Sequence, residues 1–293
     1  QVNSEGGMSA VNVNNLKGWR LLATPFVFSV LLLLMPLLLM LALSFWTQDY
    51  LTLDRTFTLD NYREAFTHPV YQMLFKRSVF ISLSVTFLTV IIAFPVAYYI
   101  SFYGGSKKTL WIFLVTIPFW TSYLLRMFLW KVILGYNGVF NSFLIWLELI
   151  TEPLTAILYN TNAVIIALTH GWAPFAILPI FVSLEKIDRS LLEASRDLGD
   201  GPIHQFFRVV LPLAMPGVIA ASLIVFIPTI GEYITPRLIG GTDGLMIANM
   251  IQVQFSKANN APLGAALSVT SLMIVASISL IFVLFNRRLL SKY

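Results

Sequence analysis

Residues 21–45 read LLATPFVFSVLLLLMPLLLMLALSF, an apolar run without a charged side chain. At a rise of about 1.5 Å per residue, a helix of this length crosses a hydrocarbon layer of about 30 Å. The run is also longer than the apolar core of a cleaved signal peptide, which spans roughly 7–15 residues. We therefore expect a retained first transmembrane helix over this segment.

Further apolar runs of membrane-spanning length follow the first one. Each contains a glycine or a proline within it or at its edge, which membrane helices tolerate when neighbouring groups satisfy the freed backbone. The runs lack the two-residue alternation of a barrel wall. They cover residues 78–103, 110–134, 163–184, 215–233 and 264–285. The sequence predicts an all-α integral membrane protein of about six transmembrane helices, forming one domain over residues 21–293.

The composition agrees with a bilayer environment. Hydrophobic residues make up 57% of the 293 residues and charged residues 11%, whereas soluble domains are roughly 25% charged. The chain contains no cysteine, which excludes a disulfide framework, a thiolate metal site and a cysteine nucleophile. The net charge of +5 comes from residues at the ends of the apolar runs, so it indicates membrane topology rather than nucleic-acid binding.

The distribution of lysine and arginine predicts how the helices are oriented. The turn at 104–109 and the loop at 185–208 are rich in these residues, as are both terminal segments. Under the positive-inside rule they lie in the cytoplasm, and an even number of spans places both termini there. Residues 1–20 are polar and asparagine-rich, so we expect a loose cytoplasmic tail. The loops at 46–77 and 135–162 fall on the outer side and are long enough to dock another protein.

The loop between the fourth and fifth runs, residues 185–212, predicts a short exposed helix. Ser190 is a suitable N-cap, and Glu193 follows it at the spacing of a capping box. Gly199 provides the turn that ends the helix. Its apolar residues are expected on one side: Leu191, Leu192, Ala194 and Leu198. Such a face fits either a partner protein or the membrane surface, and amphipathicity alone leaves both interpretations open.

The spacing within this loop resembles a known signature. Three residues separate Glu193-Ala194-Ser195 from Gly199, and nine residues separate Gly199 from Val209. One further residue separates Val209 from Leu211-Pro212. This resembles the EAA loop of bacterial ABC importer permeases, whose pattern is EAA, three residues, G, nine residues, I, one residue, LP. The resemblance implies the MetI-like permease fold, with a cytoplasmic coupling helix that inserts into a groove on an ATPase subunit. The residues that it implies in coupling are Leu191, Leu192, Glu193, Ala194, Ser195, Leu198 and Gly199.

Other segments resemble the spermidine/putrescine permeases, of the B or H type. Residues 118–126 read PFWTSYLLR in the third run, and residues 231–233 read GEY after the fifth, with Gly240-Gly241 beyond them. The resemblance covers nearly the whole chain from about residue 20, and it implies a polyamine as the solute. Relatives that import amino acids, opines or iron leave those solutes as alternatives.

Three ionisable residues lie near the hydrocarbon, Arg126 and Lys131 in the third run and Glu232 at the end of the fifth. We expect the long Lys131 side chain to reach outward to the lipid headgroups. A charge at the bilayer centre is costly unless it is paired or hydrated. In one interpretation, Glu232 attracts a cation along a path lined by aromatic rings. In the other, Arg126 and Glu232 form a structural ion pair, and the aromatic residues belong to the interface belt. The candidate path residues are Trp120, Tyr123, Arg126, Glu232 and Tyr233.

The sequence lacks the signatures of an enzyme, such as GxSxG, HExxH or a complete phosphate-binding loop. We expect a multi-pass transport subunit of the bacterial inner membrane that binds no cofactor or metal itself, with ATP and Mg²⁺ on a partner ATPase. The expected partners are a second homologous permease, two copies of the ATPase, an extracytoplasmic substrate-binding protein and membrane lipid, without nucleic acid. A stand-alone secondary transporter or channel would require an inverted repeat and several charges at the membrane midplane, and neither is evident in the sequence. A membrane-embedded enzyme would require clustered His, Asp or Glu within the spans, which the sequence also lacks.

Overall fold

The computed structural model describes residues 6–49 and 52–290. Within them, five helices are long and apolar enough to cross a membrane, or up to six if a sharply bent pair is one span. The unbent long helices are α1 (Gly6–Leu43), α3 (Pro69–Tyr103), α7 (Thr161–Glu185), α10 (Leu211–Ile230) and α13 (Ala261–Leu290). The predicted all-α membrane fold is confirmed.

The third span is broken, although the sequence predicts one continuous helix over 110–134. It consists of α4 (Lys108–Thr116), a 3₁₀ turn (Ile117–Trp120) and α5 (Tyr123–Ile133), with an 86° bend between its two arms. Pro118 stands in the 3₁₀ turn, where it cannot donate a backbone hydrogen bond. Thr121 then takes an extended conformation, with φ −82° and ψ 149°, which ends the first arm.

The core of the bundle is formed by α3, α7 and α10. Small side chains let these helices approach closely, as is common in membrane bundles. Gly217 marks a particularly close approach of α10 to α7. A Cβ atom there would lie 2.5 Å from the carbonyl oxygen of Pro179 and 2.5 Å from the Cβ of Ser183. Buried alanines of this core are Ala93, Ala97, Ala167, Ala176, Ala214 and Ala221.

The first helix lies at the edge of the bundle. It contacts α13, but the span Pro25–Leu43 is 0% buried within the chain, so its leucine side chains face lipid or another subunit. Residues 6–20, predicted to be a loose tail, are helical here, and residues 1–5 lie outside the described residues. Once a long apolar span has nucleated a helix, each preceding residue can add a hydrogen bond without a new nucleation cost.

Short elements connect the long helices. They are β1 (Thr47–Asp49) paired antiparallel with β2 (Thr52–Asp54), and the helices α2 (Asp60–Thr67), α6 (Val139–Trp146), α8 (Arg189–Asp197), α9 (Pro202–Gln205), α11 (Ile234–Ile239) and α12 (Ile247–Ser256). A π-helical turn (Phe206–Val210) joins α9 to α10. Arg77, near the start of α3, donates to the carbonyl oxygens of Thr242 and Leu245 at 3.0 and 3.3 Å. The region between α11 and α12 is thus fixed at the end of the bundle opposite α8, which lies by the end of α3.

Candidate coupling helix and solute cavity

The predicted coupling helix, α8, begins at a different residue from the one expected. Asp188 is its N-cap: the Oδ1 atom accepts a hydrogen bond of 3.0 Å from the backbone N–H of Ser190. The prediction that Ser190 caps the helix, in a capping box with Glu193, is wrong because Ser190 already lies in the first turn. The hydrogen bonds from Ser190 hold the pKa of Asp188 below its usual range, since they stabilise the charged carboxylate.

Gly199 ends the helix in a Schellman motif. Its N–H donates to the carbonyl of Arg196 at 2.9 Å, and the N–H of Asp200 donates to the carbonyl of Ser195 at 3.1 Å. Gly199 has φ +88°, in the left-handed region that a residue with a Cβ atom avoids. The glycine of the sequence signature is therefore required by the backbone at this turn.

The apolar residues of α8 do not all share one face. Leu192 is only 9% exposed and joins the core of the bundle, and Ser195 is buried beside it. Leu198 is 87% exposed, and Leu191 and Ala194 are exposed with it. The prediction that Leu192 belongs to the outward face is wrong, because its position one turn before Ser195 directs it toward the chain's own helices. The exposed apolar stripe consists of Leu191, Ala194 and Leu198.

Polar contacts fix the inner face of α8 to α9 and to the π-helical turn that leads into α10. The Gln205 side-chain amide donates a 2.5 Å hydrogen bond to the carbonyl oxygen of Leu192. The Asp200 carboxylate accepts from the Ser195 hydroxyl at 2.9 Å and pairs with Arg208 at 3.0 Å. These contacts, led by the bond from Ser195, hold the pKa of Asp200 below its usual range.

Further contacts connect the same loop to the second and third spans. Arg189 donates to the carbonyl of Ser101 at 3.2 Å, and its guanidinium carbon lies 5.6 Å from the centre of the Phe102 ring. Glu185 Oε1 accepts from Ser101 Oγ and from Lys108 Nζ, both at 2.6 Å. The start of α8 is therefore attached to α3, and the end of α7 just before it is attached to α3 and to the start of the third span.

A cavity of about 320 Å³ lies beside the bend in the third span. Of the candidate path residues, Tyr123 and Arg126 line it. Arg126 is only 8% exposed, and its Nη2 donates to the carbonyl of Thr121 at 3.3 Å. The other lining residues are Phe119, Thr121, Leu168, Gly171, Trp172 and Phe175.

The remaining candidate path residues lie outside the lining of this cavity. Glu232 Oε1 accepts from the backbone N–H groups of Ile234 and Thr235 at 2.9 and 3.3 Å, so it caps the short helix α11. Within the described part of the chain, the ion pairs are Lys108–Glu185 and Arg208–Asp200; an Arg126–Glu232 pair is not formed, and that interpretation is wrong. The side chain of Trp120 is 79% exposed and that of Tyr233 42% exposed.

One hydrogen bond links the two groups of path residues. The Tyr123 hydroxyl lies 2.7 Å from Thr235 Oγ1, and Thr235 follows the Glu232 cap. Trp172 and Phe175, which form an aromatic wall of the cavity, were not among the predicted path residues. Their spacing from Leu168, at four and then three residues, places all three on one helical face, which is the signal that could have identified them.

An apolar helical bundle, with an amphipathic helix anchored between two of its spans, is the architecture of a membrane permease driven by a separate protein. Residues 6–291 match the family described as binding-protein-dependent transport system inner membrane component. The chain belongs to this family and is a multi-pass inner-membrane permease subunit of an ABC importer.

Similar proteins extend over almost the same length. The spermidine/putrescine transport system permease protein PotB of Escherichia coli is 37% identical over 264 residues, covering 90% of this chain and 95% of that protein. PotB of Haemophilus influenzae is 37% identical over 268 residues, covering 91% and 93%. The inner membrane ABC transporter permease protein YdcU of E. coli is 35% identical over 255 residues, covering 82% and 80%.

Solved structures share the fold. A chain of a bacterial ABC transporter involved in the import of the acidic polysaccharide alginate has a TM-score of 0.71 at 16% identity, covering 95% of this chain and 99% of that one. A chain of the MetNI methionine ABC transporter has a TM-score of 0.55 at 21% identity, covering 76% and 99%. The predicted MetI-like permease fold is confirmed.

Membership of this family also decides between the alternatives raised by the sequence. The chain is a transport subunit, and ATP hydrolysis belongs to a separate ATPase subunit. It works with a partner permease, an ATPase and a substrate-binding protein. A stand-alone transporter and a membrane-embedded enzyme are therefore not supported.

Proposed function

We propose that this permease moves a polyamine, spermidine or putrescine, across the inner membrane. One observation carries the proposal: 37% identity to PotB over 90% of this chain and 95% of the relative. Similarity of this extent includes both the spans and the loops between them. It is therefore not confined to the EAA-like loop, which importer permeases of many solutes share.

The proposed assembly contains this chain, a second homologous permease, two ATPase copies and an extracytoplasmic substrate-binding protein. ATP and Mg²⁺ are held by the ATPase pair, and this chain binds no cofactor. Positive charge near α8 and at the termini supports a cytoplasmic position for these segments. The exposed stripe of Leu191, Ala194 and Leu198 is an apolar helical face of the kind that docks in a groove.

The contacts of α8 support a mechanical role in transport. When ATP closes the ATPase pair, the two bound coupling helices move toward one another. The Gln205–Leu192 bond passes this displacement to α10, and the Arg189–Ser101 bond passes it to α3. Because α3, α7 and α10 pack as one core, the half-transporter rocks as a body between inward-open and outward-open states.

The solute would pass the cavity beside the bend, with Tyr123 and Trp120 offering aromatic faces to an ammonium group. Glu232 and Tyr233 lie farther along this proposed path, toward α11. The buried Arg126 repels a cation unless its charge is neutralised, and this observation favours the alternative in which the solute is an amino acid or opine with a carboxylate. An iron-importing permease is the other alternative.

Transport by the reconstituted complex tests the solute. We expect the complete complex in proteoliposomes to accumulate radiolabelled spermidine or putrescine, and its ATPase activity to rise when the polyamine-loaded binding protein is added. A complex with a hydrolysis-deficient ATPase is the control for leak. If uptake and ATPase stimulation follow an amino acid, an opine or iron and ignore polyamines, the proposal fails.

A further inference from the structure

The cavity beside the bend contains a buried positive charge that this chain does not neutralise. Arg126 is 8% exposed, and its Nε atom is buried without a hydrogen-bond partner. Its bond to Thr121 O is long, at 3.3 Å, and a neutral carbonyl does not cancel a charge. Within the described residues, the cavity lining includes no aspartate or glutamate. An uncompensated charge of this kind is unstable in a low-dielectric site.

Trp172 adds a second unsatisfied donor to the cavity wall, where the Thr121 and Tyr123 hydroxyls already have hydrogen-bond partners. The indole Nε1 of Trp172 is buried and lacks a partner, and an indole can only donate. Glu232, the acidic residue among the candidate path residues, already accepts two backbone N–H groups at the start of α11. The cavity therefore presents two unmet N–H groups and a positive charge, and its lining contains no acidic side chain to balance that charge.

The geometry of the missing group follows from these donors. A guanidinium group presents its N–H groups as a planar fork that matches the two oxygens of a carboxylate. The cavity volume of about 320 Å³ admits a side chain or a small organic acid. Phe119 and Phe175 pack edge to face at 5.0 Å in the wall, so the site is apolar around its charged end.

We propose that the Arg126 cavity is a carboxylate-binding site, and that an aspartate or glutamate of the second permease fills it in the assembled transporter. The surface around the site supports this source: Trp120, Leu124 and Leu125 are exposed apolar residues beside the cavity on the third span, and an assembled partner would cover them. This inference rests on the proposed assembly with a second permease, and it is independent of the solute. The pairing would also remove the positive charge from the path of a polyamine.

A charge-exchange experiment on the full complex tests the site. We expect Arg126→Gln to reduce co-purification of the two permeases and solute uptake by at least about tenfold, as losing one member of a buried charge pair does. Lys131→Gln, on the exposed side of the same helix, is the matched control and should behave as the wild type. Arg126→Glu should regain assembly when the contacting acidic residue of the partner is changed to arginine.

The absence of cysteine from this chain allows the partner position to be located. Arg126→Cys can be combined with single cysteines at each acidic position in the spans of a cysteine-free partner. A short bifunctional thiol reagent is needed, because an arginine–carboxylate pair holds the Cβ atoms too far apart for a direct disulfide. Cross-linking at an acidic position supports the proposal, whereas cross-linking confined to neutral positions overturns it.

Acetate tests whether the cavity binds a free carboxylate from solution instead of a side chain of the partner permease. If acetate raises the melting temperature of the wild-type complex and not of Arg126→Gln, the site binds a free carboxylate, and the partner as its source is overturned. A loss of assembly that neither charge exchange nor acetate reverses would make Arg126 a packing residue and would overturn the carboxylate site. Failure of this proposal leaves polyamine uptake by the wild-type complex unchanged, so the two proposals are tested separately.

Discussion

The side-chain amide of Gln205 donates a 2.5 Å hydrogen bond to the carbonyl oxygen of Leu192, and the bond is buried between α8 and the end of α9. We expect Gln205→Leu to remove this bond at a cost of about 0.5–1.5 kcal/mol and to loosen α8. Hydrogen exchange of the amides of residues 189–197 should accelerate, and less solute should move per ATP hydrolysed. Gln72→Leu removes an exposed bond of the same chemical type, to Phe66 O at 2.6 Å, at the opposite end of the bundle and should leave both quantities unchanged. Equal exchange rates in the two variants would contradict the anchoring role.

The two leucines on opposite sides of α8 should respond differently to a charge. Leu198→Asp places the charge on an 87% exposed side chain, so we expect a change in stability within about 0.5 kcal/mol and a loss of ATPase binding. Leu192→Asp buries a charge in the core of the bundle and should unfold or strongly destabilise the permease. Thermal unfolding and co-purification of the ATPase separate the two effects. Normal ATPase binding by Leu198→Asp would count against the exposed stripe as the docking face.

The Schellman turn should be sensitive to a single methyl group. Gly199 has φ +88°, and Gly199→Ala should destabilise the turn by about 1–2 kcal/mol. Gly201 is the matched control, since it has φ −71° and open space around its Cα. We expect Gly201→Ala to be nearly neutral in thermal unfolding and uptake. Equal effects of both substitutions would contradict a requirement for the left-handed conformation at position 199.

Acid should weaken the loop through Asp200. Its pKa is lowered in the folded protein by the Ser195 hydroxyl and by Arg208. The stabilisation is therefore present above the unfolded pKa, near 3.9, and is lost as the pH falls through the lower folded value. We expect the melting temperature of Asp200→Asn to fall less than that of the wild type between pH 6 and pH 3. The exposed Asp197→Asn is the control, and identical slopes in wild type and Asp200→Asn would contradict the role of the carboxylate.

The contact between α7 and α10 should tolerate no added atom at Gly217. A Cβ there would lie 2.5 Å from the Pro179 carbonyl oxygen, so Gly217→Ala should cost about 1–3 kcal/mol by overpacking. At Gly231 the nearest atom would be 3.6 Å away, and Gly231→Ala should have little effect. Thermal unfolding of the purified permease measures both, and an unchanged melting temperature for Gly217→Ala would show that the helices can separate without penalty.

The location of the membrane helices could be predicted because bilayer thickness fixes the length of an apolar run. The 86° bend in the third span could not, since hydropathy records how apolar a segment is and not its direction. Pro118 was the local signal, but other prolines, such as Pro95 in α3, lie within helices that continue. Packing against neighbouring helices determines at which of these prolines the helix is interrupted.

The coupling helix shows a similar division. The spacing from Glu193 to Gly199 located the helix and its terminal turn, because the turn needs a residue without a Cβ atom. Asp188 and Ser190 are both good N-caps, so local sequence could not choose between them. The inward orientation of Leu192 depends on Gln205 and the core helices, which are brought to it only by tertiary folding. The Arg126 cavity likewise combines residues of the third span and of α7, so residue spacing within one segment could not predict it.

The Glu185 carboxylate ties the end of α7 to the first arm of the bent span through Lys108, while the Tyr123–Thr235 contact ties the second arm to α11 near the other membrane surface. The two arms on either side of the bend are thus held by contacts to different helices. A displacement applied at one membrane surface would therefore change the angle between the two arms, and with it the width of the cavity beside the bend.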